Sequence, residues 1–204
     1  MTALNVLREK MDIKIKKLDK TLLNDYLHYF DNVAFVDHKD WSNCYCAHFH
    51  YDKKFLKLWD EGKAEGGRNY AIDLINNEKL RGYMAYENNA VVGWCNANDK
   101  FNFANLVERK ELWDDDEKDV KIKSIVCFLV APEMRGKRIA AKLLERICED
   151  AKNDGYKYIE AYPHPTEKSI YMNHYGPYSM YKKAGFIVTK QFERDCIVRK
   201  KLLE

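Results

Sequence analysis

The chain has 204 residues, with 35 Lys and Arg against 32 Asp and Glu, a net charge of +3. That balance excludes the strongly basic surface that nucleic acid or an anionic membrane asks for. A composition of 46% hydrophobic and 33% charged residues excludes a disordered chain, and the length suits one domain with a full core.

No apolar stretch approaches the roughly 20 residues of a membrane span. Residues 1–12 carry charges but no apolar signal core and read as a leader, with the domain expected over 13–204. A cytosolic location is expected, and with it six cysteines as free thiols.

Ile13 to Leu18 alternates apolar residues with Lys, the mark of a half-exposed strand. Asp19 or Thr21 can cap a helix that carries Leu22, Leu23, Tyr26, Leu27 and Phe30 at helical spacing. Asn32 to Tyr51 is aromatic and irregular. Phe55, Leu58 and Trp59 predict a helix within 53–64, and a further helix is expected from about Arg68 to Leu80. Gly82–Glu87 and Ala90–Ala97 flank Asn88-Asn89, a dipeptide suited to the left-handed residues of a two-residue hairpin turn. Residues 98–119 are polar and read as a loop, with the acidic run 114–117 solvated.

Ile125 to Ala131 is a continuous apolar run of strand length, as in the middle of a sheet. After a basic loop, Ile139, Ala140, Leu143, Leu144, Ile147, Cys148 and Ala151 recur at helical spacing, and Gly155 stands where a helix end is closed. Arg135, Lys137, Arg138 and Lys142 crowd the start of this helix, where acids are favoured. A bound polyanion held by the loop amides reverses the sign of that charge clash; a solvated basic turn is the alternative. Tyr156–Tyr162 then reads as a strand, residues near 178–183 as a short helix ended by Gly185, and Phe186–Val188 with Phe192–Val198 as a last pair of strands. The order predicts an α/β fold with helices able to cover both faces of a mixed sheet.

The run Val130-Ala131-Pro132-Glu133-Met134-Arg135-Gly136-Lys137-Arg138-Ile139-Ala140 resembles the GNAT superfamily of acyl-CoA N-acyltransferases, whose motif is Arg/Gln-x-x-Gly-x-Gly/Ala opening a helix. Arg138 stands where the family usually has glycine. Tyr181-Lys182-Lys183-Ala184-Gly185-Phe186 resembles the family's late Tyr-x-x-x-Gly-Phe signature. The resemblance covers roughly residues 13–200. It implies a mixed, mostly antiparallel sheet splayed between the strand near 121–131 and the strand near 157–162. Acetyl-CoA is then the implied co-substrate. Its pantetheine arm would pair with the backbone of Phe128, Leu129 and Val130, and its pyrophosphate would sit on the amides of Arg135, Gly136, Lys137, Arg138, Ile139 and Ala140.

The resemblance also makes Tyr181 the acid that protonates the leaving thiolate, a role a phenol with a pKa near ~10 can fill. A backbone amide near Leu129 or Val130 is the expected oxyanion donor. No carboxylate lies on the strand 121–130, so the base stays open between Glu160, Asp99 and a water relay. Cys127, among apolar neighbours, reads as packing rather than as a nucleophile, so a direct ternary complex is expected.

Cys44, Cys46, His48 and His50 alternate; if extended they share one face, but ligands so spaced do not easily converge on a zinc ion, so an acceptor-pocket lining is expected, with plain packing as the other reading. Trp94, Cys95, Asn96 and Asn98 are expected to orient a polar acceptor, or else to be an Asn-rich loop start. His164, His174 and Tyr175 are expected to border the thioester or to be structural. The acceptor is a primary amine on a small molecule or a peptide, no metal is assigned, and a homodimer through an exposed last strand is possible. The alternatives are an acyl-CoA sensor without turnover and a zinc-binding module; the loop lacks the ending of a nucleotide-binding P-loop.

Overall fold

A computed structural model describes residues 11–51, 55–57, 66–114, 119–165 and 174–204. The expected leader (residues 1–10 of it), most of the expected helix at 53–64 and the acidic residues 115–117 lie outside these. Residues 55–57, the described part of that helix, are helical. Among the described residues no helix is long and apolar enough to cross a membrane.

Among the described residues seven strands form one sheet: β1 (Ile13–Lys17), β2 (Gly82–Glu87), β3 (Ala90–Asp99), β4 (Ile122–Val130), β5 (Tyr158–Ala161), β6 (Ile187–Gln191) and β7 (Cys196–Lys201), in the order β1-β2-β3-β4-β5-β7-β6. Only β4 and β5 pair in parallel; the other neighbours are antiparallel. The fold is the mixed, mostly antiparallel α/β sheet expected. Lys14 and Lys16 point to solvent from the edge strand β1, which discourages pairing there. Asn88 and Asn89 take φ 48° and 65°, the left-handed pair that a two-residue hairpin turn requires between β2 and β3. The last strand, β7, lies inside the sheet, so the free edge is β6, where Ile187 is 68% exposed. That corrects the expectation of an exposed last strand.

Besides residues 55–57, the helices among the described residues are α1 (Leu23–Asn32), α2 (Gly67–Asn76), α3 (Ala104–Glu108), α4 (Ile139–Asn153) and α5 (Tyr178–Lys183). Asp19 caps the 3-10 turn that leads into α1, accepting from the Thr21 amide at 2.7 Å. Tyr26 and Phe30 of α1 pack on Trp94, while Ile139 of α4 lies against Gly93. Consecutive residues of a strand face opposite ways, so α1 and α4 cover opposite faces of the sheet. Gly67 is needed for close approach: a Cβ there would stand 2.2 Å from the Asn43 carbonyl oxygen.

The polar stretch 98–119 is not simply a loop. It holds α3 between two 3-10 turns, anchored by buried Phe103, Leu106 and Leu112. Three apolar anchors spread over ten residues give too little periodicity to be read as a helix. Asp114, expected to be solvated, pairs with Lys190 at 2.6 Å.

Candidate active site

The strands β4 and β5 pair only from Ile122↔Tyr158 to Ile125↔Ala161. β5 then ends, while β4 continues to Val130 without it. The sheet is therefore split along the second half of β4, as expected. Beyond β4 the chain makes a 3-10 turn at Pro132–Met134, pinned by buried Met134, and enters α4. Gly136 has φ +76° with open space around it, so its glycine answers a backbone need rather than crowding.

Arg138 sits just before α4 at φ 64°, ψ 19°. The glycine usual in the motif is thus explained: the position is left-handed, and here an arginine bears that conformation. The first helical hydrogen bond of α4 runs from the Lys142 amide to the Arg138 carbonyl at 3.1 Å. The amides of Ile139, Ala140 and Ala141 precede it, and no acid lies in the first turn. Free amides and no acid at the start of a 15-residue helix are what an anion site asks for.

A cavity of about 1620 Å³ opens beside it, larger than the roughly 300–1,000 Å³ of an ordinary small-ligand site. Phe128, Leu129, Val130, Arg135, Gly136, Arg138, Ile139 and Ala140 lie on its wall; Lys137 does not, and its ammonium rests on Met134 Sδ at 3.4 Å. Two β4 carbonyls are engaged: Leu129 accepts from the Tyr29 hydroxyl at 2.9 Å, and Val130 from Arg135 Nε at 3.2 Å. The Arg135 guanidinium also ion-pairs with Asp37, which holds the Asp37 carboxyl below the usual range. Arg135 therefore ties the segment after α1 to the loop as well as lining it.

Tyr181 on α5 is fully buried, a layer behind the cavity wall. Its hydroxyl donates to the Tyr175 carbonyl at 2.6 Å, and burial pushes its pKa well up. Its ring meets Phe128 and Phe186. Gly176, at φ +85°, is what permits this approach: a Cβ there would come within 3.0 Å of both Phe128 and the Tyr181 hydroxyl. Tyr175 and His174 line the cavity, with their rings 4.0 Å apart. His164 does not line it; its Nδ1 meets the Arg194 carbonyl at 2.9 Å.

Several expectations need correction. Cys44 to His50 is not extended: Tyr45 and Cys46 take φ 39° and 45°, and His48–His50 is a 3-10 turn. The four side chains consequently do not share one face, although the Cys44 and Cys46 thiols stay hydrogen-bonded to each other. Cys44, Cys46 and His48 line the cavity, while His50 is buried against Phe103, where desolvation lowers its pKa to about 4. Among the described residues no three His, Cys, Asp or Glu side chains converge on a metal-sized site.

Asn96 and Asn98 are buried and off the cavity wall, bracing backbone instead. Asn96 donates to the Cys46 carbonyl and Asn98 to the Lys79 carbonyl, both at 2.9 Å. Trp94 and Cys95 are likewise buried off it.

Neither carboxylate suggested as a base reaches the cavity. Glu160 is fully buried between Lys100 at 2.8 Å and Arg199 at 2.7 Å, with the Tyr162 hydroxyl at 2.6 Å. Asp99 caps a 3-10 turn through the Phe101 amide. Cys127 is buried with its thiol pKa raised, as its packing among apolar neighbours led one to expect, and it also lines the cavity and touches Cys46. Sequence reasoning missed the wall built by Phe35, His38, Asp40 and Trp41; the density of aromatic and histidine residues over 35–51 was the available signal.

The model of the acetyltransferase (GNAT) family matches residues 35–186, nearly the whole span from α1 to the strand after α5. The chain belongs to the GNAT acetyltransferase family. Solved structures carry the same fold at low identity. PaiA N-acetyltransferase from Thermoplasma acidophilum, in complex with coenzyme A, is 17% identical with a TM-score of 0.54, covering 94% of this chain and 99% of that one. A GNAT-family acetyltransferase from Listeria monocytogenes 4b F2365 is 10% identical with a TM-score of 0.57, covering 94% and 96%. An N-acetyltransferase from Staphylococcus aureus Mu50 is 15% identical with a TM-score of 0.52, covering 94% and 99%. A comparison with curated protein sequences gave no match.

Proposed function

We propose that the chain transfers an acetyl group from acetyl-CoA to a primary amine by direct attack in a ternary complex. The observation that carries this reading is the split beside β4, which runs from the α4 cradle to the Cys46, His48 and Tyr175 wall as one cavity. The pyrophosphate rests on the amides at the start of α4, with Arg138 adding a cation. The pantetheine arm follows β4 past Phe128, Leu129 and Val130. The coenzyme A in the Thermoplasma structure supports taking the cavity as a coenzyme site.

The far wall, with Phe49, Tyr51, Tyr175 and His48, receives the acceptor, an amine on a small molecule or a peptide. The neutral amine attacks the thioester carbonyl, and the oxyanion is held by a β4 amide near Leu129 or Val130. The tetrahedral intermediate collapses and expels the coenzyme thiolate. Tyr181 supplies its proton, turning its hydroxyl from the Tyr175 carbonyl toward β4. Its raised pKa keeps that proton in place at neutral pH. Water in the cavity takes up the ammonium proton and returns one to the Tyr181 phenolate, since Glu160 and Asp99 are engaged elsewhere. The six free thiols fit a reducing compartment such as the cytosol.

One observation favours a second reading, an acyl-CoA sensor without turnover: the Tyr181 hydroxyl lies behind the wall and already donates its hydrogen bond to a carbonyl. A free-thiol assay with acetyl-CoA across a panel of amines separates the two. Amine-dependent thiol release supports transfer. A melting-temperature rise with acetyl-CoA, and no release with any amine, supports sensing.

A further inference from the structure

Tyr45 and Cys46 stand in succession in the left-handed region, and neither is glycine. Such backbone persists only where its surroundings fix it. Here both carbonyls are held: Tyr45's accepts from the Tyr26 hydroxyl, and Cys46's from the Asn96 amide at 2.9 Å. The Tyr45 hydroxyl in turn donates to Asp31. A turn braced at three points aims one side chain. The Cys46 sulfur rests on the sulfur of Cys127 in β4, 2.6 Å away and 81 residues on in sequence. Both residues are nearly buried, yet both line the cavity, so a small solute reaches them from there. Acyl transfer uses neither sulfur.

We infer that Cys46 and Cys127 form a reversible dithiol–disulfide site, oxidised by low-molecular-weight disulfides that enter the cavity. The bond would tie the braced turn to β4 and so fix the two walls of the cavity together. In the hydrogen bond between them Cys46 donates, which makes Cys127 the sulfur that carries negative charge more readily. At Cys127 that hydrogen bond works downward on the pKa, while burial and the nearby Cys44 and Cys95 thiols prevail upward. The reaction therefore speeds up as pH rises.

In the first step the Cys127 thiolate attacks one sulfur of the disulfide RSSR. Cys127–S–S–R forms, and RS⁻ leaves and takes up the proton that Cys127 gave up. Cys46 then loses its proton, attacks the Cys127 sulfur and expels the second RS⁻, which is protonated in turn. Two protein thiols are oxidised to one disulfide while one RSSR is reduced to two RSH. The sulfurs already touch, so closure asks for little backbone movement. Cross-linking a loop of this length raises the melting temperature by roughly 10 °C.

The test treats the full chain with glutathione disulfide, blocks remaining thiols with iodoacetamide, and maps peptides by mass spectrometry. The expected product is a peptide pair joined through Cys46 and Cys127, with a melting temperature raised by roughly 10 °C. Dithiothreitol should reverse both changes. Cys44→Ser should keep the link, and Cys127→Ser should lose it. All cysteines alkylated after oxidation, or a link that runs through Cys44 instead, overturns the inference. Because the wild-type map and Cys44→Ser decide between these results, a Cys127→Ser protein that fails to fold does not leave the matter open.

Discussion

Replacing Arg138 by glycine tests the link between backbone conformation and coenzyme site. Arg138 sits at φ 64° directly before α4, and its side chain lines the cavity. A left-handed conformation costs an L-residue roughly 1–2 kcal/mol. A cation at a helix start adds roughly 0.3–1 kcal/mol of repulsion from the helix dipole. Glycine gives back roughly 0.5–1 kcal/mol through its greater freedom in the unfolded chain. The balance is a stabilisation of about 1 kcal/mol, or a melting temperature higher by roughly 2–4 °C for a chain of this size. Arg138→Ala separates the contributions, because it removes the charge and keeps the Cβ; it should fall between wild type and Arg138→Gly. Thermal or urea denaturation of the three proteins measures the stability part. Acetyl-CoA titration measures the other part, and binding should survive in Arg138→Gly with a loss of no more than about tenfold, since the amides carry the phosphate. A melting temperature below wild type would refute the strain argument. Loss of coenzyme binding would show that the side chain, not the backbone, holds the phosphate.

Tyr181→Phe should lower turnover by roughly 10²-fold or more and leave acetyl-CoA affinity nearly unchanged, read from steady-state kinetics and a binding titration; unaltered turnover removes Tyr181 from the mechanism. Glu160→Gln should cost roughly 3–5 kcal/mol in urea denaturation, because it removes the buried charge that Lys100 and Arg199 share. His50 has a folded pKa of about 4 against an ordinary value near 6.5, so it stays neutral in the fold and takes up a proton on unfolding. Its contribution is therefore intact above pH ~6.5 and is lost as pH falls toward ~4, about 2 kcal/mol of it by pH 5. Urea midpoints between pH 7.5 and 5 should fall more steeply for wild type than for His50→Gln.

The parts of the fold with strong local signals were legible. Asn88-Asn89 demanded a left-handed turn, and Ile125 to Ala131 could only be a buried strand. The helix start after Arg138 declared itself by its misplaced charges. What was not legible depended on contacts far apart in sequence. Glu160 looked like an available base until Lys100 and Arg199, from two other segments, proved to enclose it. Asn96 looked like an acceptor contact until the turn at Cys46, fifty residues earlier, proved to need its amide. The alternation of Cys44, Cys46, His48 and His50 suggested a strand because residue type carries no sign of φ; the left-handed Tyr45 and Cys46 broke the pattern. The late tyrosine was visible as a motif, yet its place behind the wall follows from Gly176 and Tyr175, which bring the α5 helix in.

The most direct test of the central claim is free-thiol release from acetyl-CoA by the purified chain in the presence of primary amines of different kinds. Release that needs both the protein and an amine, saturates with each, and yields an N-acetylated product is the predicted result. Coenzyme binding without release across the whole panel, or release that needs no amine, would contradict it.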